Sequence, residues 1–239
     1  MVGVVSDVGR VRTLNEDFAK YLECDEFKIY VVADGMGGHN AGEVASKMAA
    51  EGVVGYIKDN FNNSSKEVIL ESAIEKVNRD IYMYSLKNDA LNGMGTTITA
   101  CLITSDWIKI ANVGDSSCFG INNNEIIKIT KDHSLVQELV DSGSISEEEA
   151  MNHPKKNIIT RAVGTGLSVD VDIFNLEINK YNKYLLCSDG LTNELTKEDI
   201  IEVINKENDL PITCNELVNI AKNKGGRDNI TVLLCGGEI

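Results

Sequence analysis

Three features of the sequence predict an α+β fold built from antiparallel sheets. Short apolar runs rich in β-branched residues recur along the chain, several of them only a few residues apart, and such short links suit hairpins rather than βαβ crossovers. Helical patterns come in consecutive pairs instead of alternating with strands. No Pro-rich or Gly/Ser linker divides the 239 residues, whose only prolines are Pro154 and Pro211. These features argue for one layered domain, sheet against sheet with helices outside.

In chain order, strands are expected at 27–34, 96–104, 107–113, 125–129, 171–178, 183–188 and 229–235. A helix over Ala41–Asn60 carries Val44, Met48, Val53 and Ile57 on one face. A polar stretch at 60–65 reads as a loop. A second helix, opened by the capping box Ser64-x-x-Glu67, carries Ile69, Ala73, Val77, Ile81 and Tyr84. Two later helices are signalled by Thr196-x-x-Asp199 and Thr213-x-x-Glu216. The segment 137–165 includes GSISEEEAMNHPKK, which lacks any long apolar run and reads as a surface excursion.

Charge excludes some functions. With 23 Lys+Arg against 37 Asp+Glu, the formal net charge is −14, which opposes a nucleic-acid binder. No apolar run approaches the roughly 18 residues of a membrane span, and the N-terminal residues carry acids and Arg where a signal peptide needs an apolar core. The expected compartment is the cytoplasm, with no membrane partner. The six cysteines form no CxxC pair and mostly lie in strand-like runs, as reduced core residues do. His39, His133 and His153 stand in no HExxH or Cys/His cluster, so a zinc site has little support.

The acids carry the signal. Asp34-Gly35, Asp115, Asp189-Gly190 and Asp228-Asn229 each stand at the end of an apolar strand, and Glu16-Asp17 follow Arg12 closely. An acid there is costly unless a cation or a donor awaits it, although a single Asp-Gly is more often a turn residue bonding its own backbone. Several in one domain make that bland reading of the whole set untenable. Grouped carboxylates without Cys or His are hard oxygen ligands, suited to Mg²⁺ or Mn²⁺. Two close ions can clamp the oxygens of an in-line displacement at phosphorus.

Eight segments in order, Arg12-TLNED, VVADGMGGHNAGEVAS (31–46), GMGTTITACLI (93–103), ANVGDS (111–116), KDHSLVQELVDSGSI (131–145), ITRAVGT (159–165), LLCSDGLTN (185–193) and GGRDNITVL (225–233), resemble the motif series of the metal-dependent serine/threonine protein phosphatases of type 2C, in their short bacterial form. The resemblance implies a four-layer α-β-β-α sandwich, two antiparallel sheets flanked by helix pairs, forming a single catalytic domain over 1–239 with a flap at about 137–165. It implies two Mg²⁺ or Mn²⁺ ions and a weaker third. Asp17, Asp34, Asp189 and Asp228 match the direct metal ligands, with Gly35 giving its carbonyl. Glu16 matches the residue that holds a metal-bound water, Arg12 the phosphate-binding arginine, and Asp115 the acid of the third ion.

Two positions depart from the pattern. Many eukaryotic relatives have a histidine directly after the Asp-Gly pair as the favoured general acid, and here that residue is Met36. His39 stands either as its substitute in the cleft or as a packing residue at the start of the helix, while His133 and His153 read as loop residues near the flap. Ser117-Cys118 occupy a place where many relatives carry arginine. The activity implied is hydrolysis of phospho-Ser/Thr by a metal-bridging hydroxide, in a monomer acting on phosphoproteins and opposing a bacterial Ser/Thr kinase. The competing readings are a catalytically dead phosphoprotein binder and a nuclease or small-ester hydrolase. No Cys-x5-Arg loop supports a tyrosine-phosphatase route.

Overall fold

The computed structural model describes residues 2–37, 41–87, 89–123, 125–207 and 209–237. One sheet has the order β1 (Val2–Asp7), β11 (Ile230–Gly236), β10 (Lys183–Cys187), β7 (Ser117–Asn122) and β8 (Glu125–Lys128). The other has the order β2 (Asp17–Glu23), β3 (Lys28–Met36), β5 (Ile98–Ile103), β6 (Ile108–Val113) and β9 (Asp172–Leu176), with the two-residue β4 (Gly95–Thr96) paired to the end of β3. Every pairing is antiparallel.

Side-chain alternation explains the layers. Along β3, Ile29, Val31 and Ala33 face helices α1 (Ala41–Asn60) and α2 (Ile69–Ser85), while Tyr30 and Val32 face the second sheet. Along β11, Ile230, Val232 and Leu234 face α5 (Asp189–Thr192), α6 (Lys197–Lys206) and α7 (Leu210–Lys224), while Leu233 and Cys235 face inward. Central strands buried on both sides read as unbroken apolar runs, and the result is an α-β-β-α sandwich. Five of the cysteines are buried and all six are unpaired thiols. Among the described residues no helix is long and apolar enough to cross a membrane.

Local signals fared unevenly. Thr196 caps α6 with the reciprocal bonds of its box. The Ser64 box does not form: α2 starts at Ile69, and residues 66–68 make a turn in which the Ser65 hydroxyl accepts the Glu67 N–H. Thr213 lies inside α7, which begins earlier because Asp209 caps it and Pro211 suits the first turn. The expected strand at 96–104 breaks at Thr97, whose hydroxyl accepts the Asp34 N–H at 2.9 Å. Strands β1, β2 and β7 were not expected. The segment 137–165 contains the end of α3 (Leu135–Asp141) and all of α4 (Glu147–Met151), the latter opened by a Ser146–Glu149 capping box.

Candidate metal centre

The acids meet at one end of the sandwich, where the sheets come together. Antiparallel register sets Asp17, at the start of β2, opposite Asp34 near the end of β3, and the Gly35 N–H donates to the Glu16 carbonyl at 3.1 Å. Gly35 is required: a Cβ there would collide with the Gly42 carbonyl in the first turn of α1. Gly42 in turn lies against the Glu16 carboxylate, where a Cβ would meet Oε1. Strand end, helix start and Glu16 therefore pack backbone against backbone.

The second sheet contributes Asp189, the first residue of α5 after β10, and Asp228, just before β11. A Cβ at Gly190 would overlap the Asn229 carbonyl, so these two chain segments touch directly. Asn229 binds the loop that carries Arg12 and Glu16: its Oδ1 accepts the Glu16 N–H at 2.8 Å, and its Nδ2 donates to the carbonyls of Val8 at 3.0 Å and Leu14 at 2.9 Å. Ser188 joins the sheets, accepting the Thr231 N–H at 3.0 Å and donating to Asp17 Oδ2 at 2.7 Å. Arg12 Nη2 meets Asp228 Oδ2 at 2.9 Å, with about half of the arginine side chain exposed. Asp189 Oδ2 accepts from Asn193 Nδ2 at 2.9 Å, and Lys156, from the 137–165 segment, donates to Asn193 Oδ1 at 2.9 Å.

Asp115 follows a turn at Gly114, whose φ is 103° and where Thr97 would block a Cβ. Ser116 is fixed by a 2.7 Å hydrogen bond with the Thr97 hydroxyl. The same threonine thus serves both Asp34 and the Asp115 corner.

Electrostatics sets this end apart. Burial pushes Asp17 up to about 7, with Asp189 and Asp228 adding repulsion against its Ser188 and Thr231 hydrogen bonds. Asp34 is raised well above the ordinary range by burial and by Asp17, Asp189, Asp115 and Asp228. Burial and then Asp189 raise Asp115 to about 8, and burial and then Asp228 raise Asp189 to about 6. Burial raises Glu16 as well. Buried oxygens of Glu16 (Oε1), Asp17 (Oδ1) and Asp115 (Oδ1) meet no donor among the described residues. Carboxylates that repel one another and lack donors fit hard divalent cations. The acids are gathered rather than closed, since among the described residues no three His, Cys, Asp or Glu side chains already stand in ion-holding geometry.

The expected residues Arg12, Glu16, Asp17, Asp34, Gly35, Asp189 and Asp228 thus share one neighbourhood, with Asp115 joined to it through Thr97. His39 lies outside the described residues. Ser117 and Cys118 are buried in β7. His153 is a loop residue whose Nδ1 accepts the Lys155 N–H at 3.2 Å. His133 stands in the loop between β8 and α3, as expected, but it is buried and bonded to Gly114. Sequence reasoning also missed Thr97, Ser188, Asn193 and Asn229. Their one signal is adjacency, Ser188 and Asn229 each flanking an acid at a strand end.

The protein phosphatase 2C family model matches residues 9–228. The chain is 42% identical over 238 residues to the serine/threonine phosphatase stp of Listeria monocytogenes serotype 4b, covering 98% of this chain and 94% of the relative. It is similar to the crystal structure of the serine/threonine phosphatase Stp1 of Staphylococcus aureus, with 36% identity, a TM-score of 0.88 and coverage of 98% and 94%. It is also similar to that of the Mycobacterium tuberculosis serine/threonine phosphatase PstP/Ppp, with 34% identity, a TM-score of 0.89 and coverage of 100% and 99%.

Proposed function

Because the chain belongs to the protein phosphatase 2C family, we propose that it removes phosphate from phosphoserine and phosphothreonine of proteins with the help of divalent cations. The carrying observation is the cross-strand pair Asp17 and Asp34, buried beside Asp189 and Asp228 at the junction of the sheets. Two Mg²⁺ or Mn²⁺ ions there would neutralise charge and activate water for in-line displacement at phosphorus.

In this reading, Asp17, Asp34, Asp189 and Asp228 hold the two ions together with the Gly35 carbonyl. Glu16 orients water beside them, its carboxylate resting against Gly42 at the start of α1. Asp115 holds a third, looser ion. Arg12 uses one N–H on Asp228, which leaves the rest of its planar fork for the substrate phosphate. His39 is our candidate for protonating the departing Ser or Thr oxygen. No thiol takes the phosphoryl group, since five of the six are buried and none begins a Cys-x5-Arg loop.

The reading extends to a monomeric cytoplasmic enzyme, one catalytic domain with a flap at about 137–165, opposing a bacterial Ser/Thr kinase. The bacterial relatives, named as serine/threonine phosphatases, support the phosphatase activity on which this rests. The test is hydrolysis of phospho-Ser, phospho-Thr and phospho-Tyr peptides with and without Mn²⁺ after thorough chelation. Metal-dependent cleavage of the first two is expected; activity without metal would overturn the mechanism.

A further inference from the structure

His133 has a place at this centre that ion binding leaves unassigned. The Gly114 N–H donates to His133 Nδ1 at 3.0 Å, and the Gly114 carbonyl accepts from the His133 N–H at 2.9 Å and from Asn112 Nδ2 at 3.1 Å. The His133 side chain is 8% exposed, so losing the Nδ1 acceptor would strand a buried N–H. On the other side of the ring, Nε2 lies 3.1 Å from Asp172 Oδ2. Asp172 Oδ1 accepts from Arg161 Nη1 at 2.6 Å. The Thr160 N–H, next to Arg161, donates to the His133 carbonyl at 2.9 Å. One residue thus ties together the turn before Asp115, the start of β9 and the end of the 137–165 segment.

The Gly114 N–H sets the tautomer from the Nδ1 side. Nδ1 accepts an N–H, so a neutral ring carries its proton on Nε2, where Asp172 accepts it. A proton on Nδ1 would set two donors face to face. Arg161 Nη1 also lies 3.0 Å from Nε2, and Asp172 is the acceptor that those two donors share.

We propose that His133 is a positioning residue of the phosphatase centre. Its imidazole sets the Gly114–Asp115 corner and couples it through Asp172 and Arg161 to the end of the 137–165 segment. The consequence for metal rests on the reading of Asp115 as a ligand of the third ion; the corner geometry does not. Removing an outer partner of a metal ligand typically costs about 10–100-fold in affinity, and that is the size expected for the loosest ion.

Two variants separate the halves of the ring. His133→Asn puts an amide oxygen where Nδ1 stood, and His133→Gln reaches Asp172 but leaves the Gly114 N–H without an acceptor. The readouts are amide hydrogen exchange at Gly114 and Mn²⁺ titration by calorimetry. Gly114 should stay protected in wild type and in His133→Asn, and lose protection in His133→Gln. The loosest Mn²⁺ should then bind about 10–100-fold more weakly in His133→Gln, with the tighter ions unchanged. Asp115→Ala, run in parallel, should lose that ion and keep Gly114 protected. If Asp115→Ala retains the loose ion, the ligand assignment falls, and Gly114 exchange alone decides the role of His133. Equal protection in both His133 variants overturns the proposal. Should either variant misfold, the imidazole nitrogens of the wild-type protein decide by NMR: a ring protonated on Nε2 alone at neutral pH supports the proposal, and one protonated on Nδ1 overturns it.

Discussion

The Glu194 side chain is 3% exposed and Asp17 is 6% exposed, yet the two carboxylates are driven in opposite directions. Arg227 clasps Glu194 with Nε at 2.8 Å and Nη2 at 3.1 Å and holds it below the usual range. Asp17 has the Ser188 hydroxyl and other carboxylates for neighbours, and burial pushes it up to about 7. Glu194 lies near the surface beside the exposed Arg227, whereas Asp17 lies deep in the fold, so depth of burial and counter-charge together make the difference. Where a carboxylate ties α5 to the approach of β11, the fold supplies the cation from its own sequence; where the acids of both sheets gather, no ion pair to Asp17 or Asp34 forms among the described residues, and Arg12 acts on Asp34 only at a distance. A carboxylate of the first kind should contribute to stability, and one of the second kind to metal binding and turnover.

Exchanging the roles gives the sharpest contrast. Asp34→Ala or Asp228→Ala should lower turnover in Mn²⁺ by roughly 10³-fold or more while the protein stays folded, and metal-free Asp34→Ala should melt no lower than wild type because one source of repulsion is gone. Glu194→Gln should do the reverse, costing about 1–3 kcal/mol of stability with a much smaller loss of turnover. Peptide assays and thermal unfolding in the presence and absence of EDTA read both, and a strongly destabilised metal-free Asp34→Ala would break the comparison. Asp115→Ala should lose most of the turnover while two tightly held ions remain countable by calorimetry. Loss of all ions would move Asp115 among the primary ligands.

Arg12 lies between the two classes, since its partner Asp228 belongs to the site. Arg12→Ala should raise KM for phosphopeptides more than it lowers kcat, as expected for a group that grips phosphate in the ground state. Arg12→Lys should recover only part, because the bidentate fork is lost. A fully active lysine variant would reduce Arg12 to a diffuse positive charge.

Acidity sharpens the contrast further. Asp189, Asp17 and Asp115 are raised to about 6, 7 and 8, above the unfolded carboxylate value near 4. Between those limits the folded chain binds more protons than the unfolded one, so metal-free stability declines as pH rises through that window. Melting temperatures without metal should be lower at about pH 8 than at about pH 5, and saturating Mn²⁺ should offset the decline. A rise in metal-free stability over the same interval would show that a protein cation already neutralises the acids. The smallest effect concerns substrates: at net charge −14, Lys- or Arg-flanked phosphothreonine peptides should be cleaved with higher kcat/KM than Asp- or Glu-flanked ones, and salt should narrow the gap.

The parts of the fold legible in sequence were those whose residues answer to one environment. Strands β3, β5, β10 and β11 are buried on both faces and read as continuous apolar runs. Strand β2 is only partly buried, with Lys20, Tyr21 and Glu23 exposed, and it was missed. Strand β7 was missed because Ser117, Cys118 and Gly120 resemble a loop, yet Gly120 is there because the Tyr181 ring lies where its Cβ would stand. The gathered acids were legible because a charge at an apolar strand end is costly. Their supports were not: Ser188 reaches Asp17 across 171 positions of sequence, and a serine says nothing locally about such a partner. His133 was hidden for the same reason, its role lying in contacts with Gly114 and Asp172 that only the folded chain creates.

The pairing of β1 with β11 sets Val2 beside Cys235 and makes the site a late product of biosynthesis. Arg12, Glu16 and Asp17 leave the ribosome long before Asp228 and Asn229, the latter fastening their loop from 213 positions after Glu16. Sheet closure across so long a span is slow compared with local helix formation. A nascent chain stalled before β11 would display β2 and β3 without the strand that closes the first sheet, and it would hold an incomplete acid set. The acid set is therefore incomplete until β11 has been made, and hydrolytic capacity should appear in one step at that point.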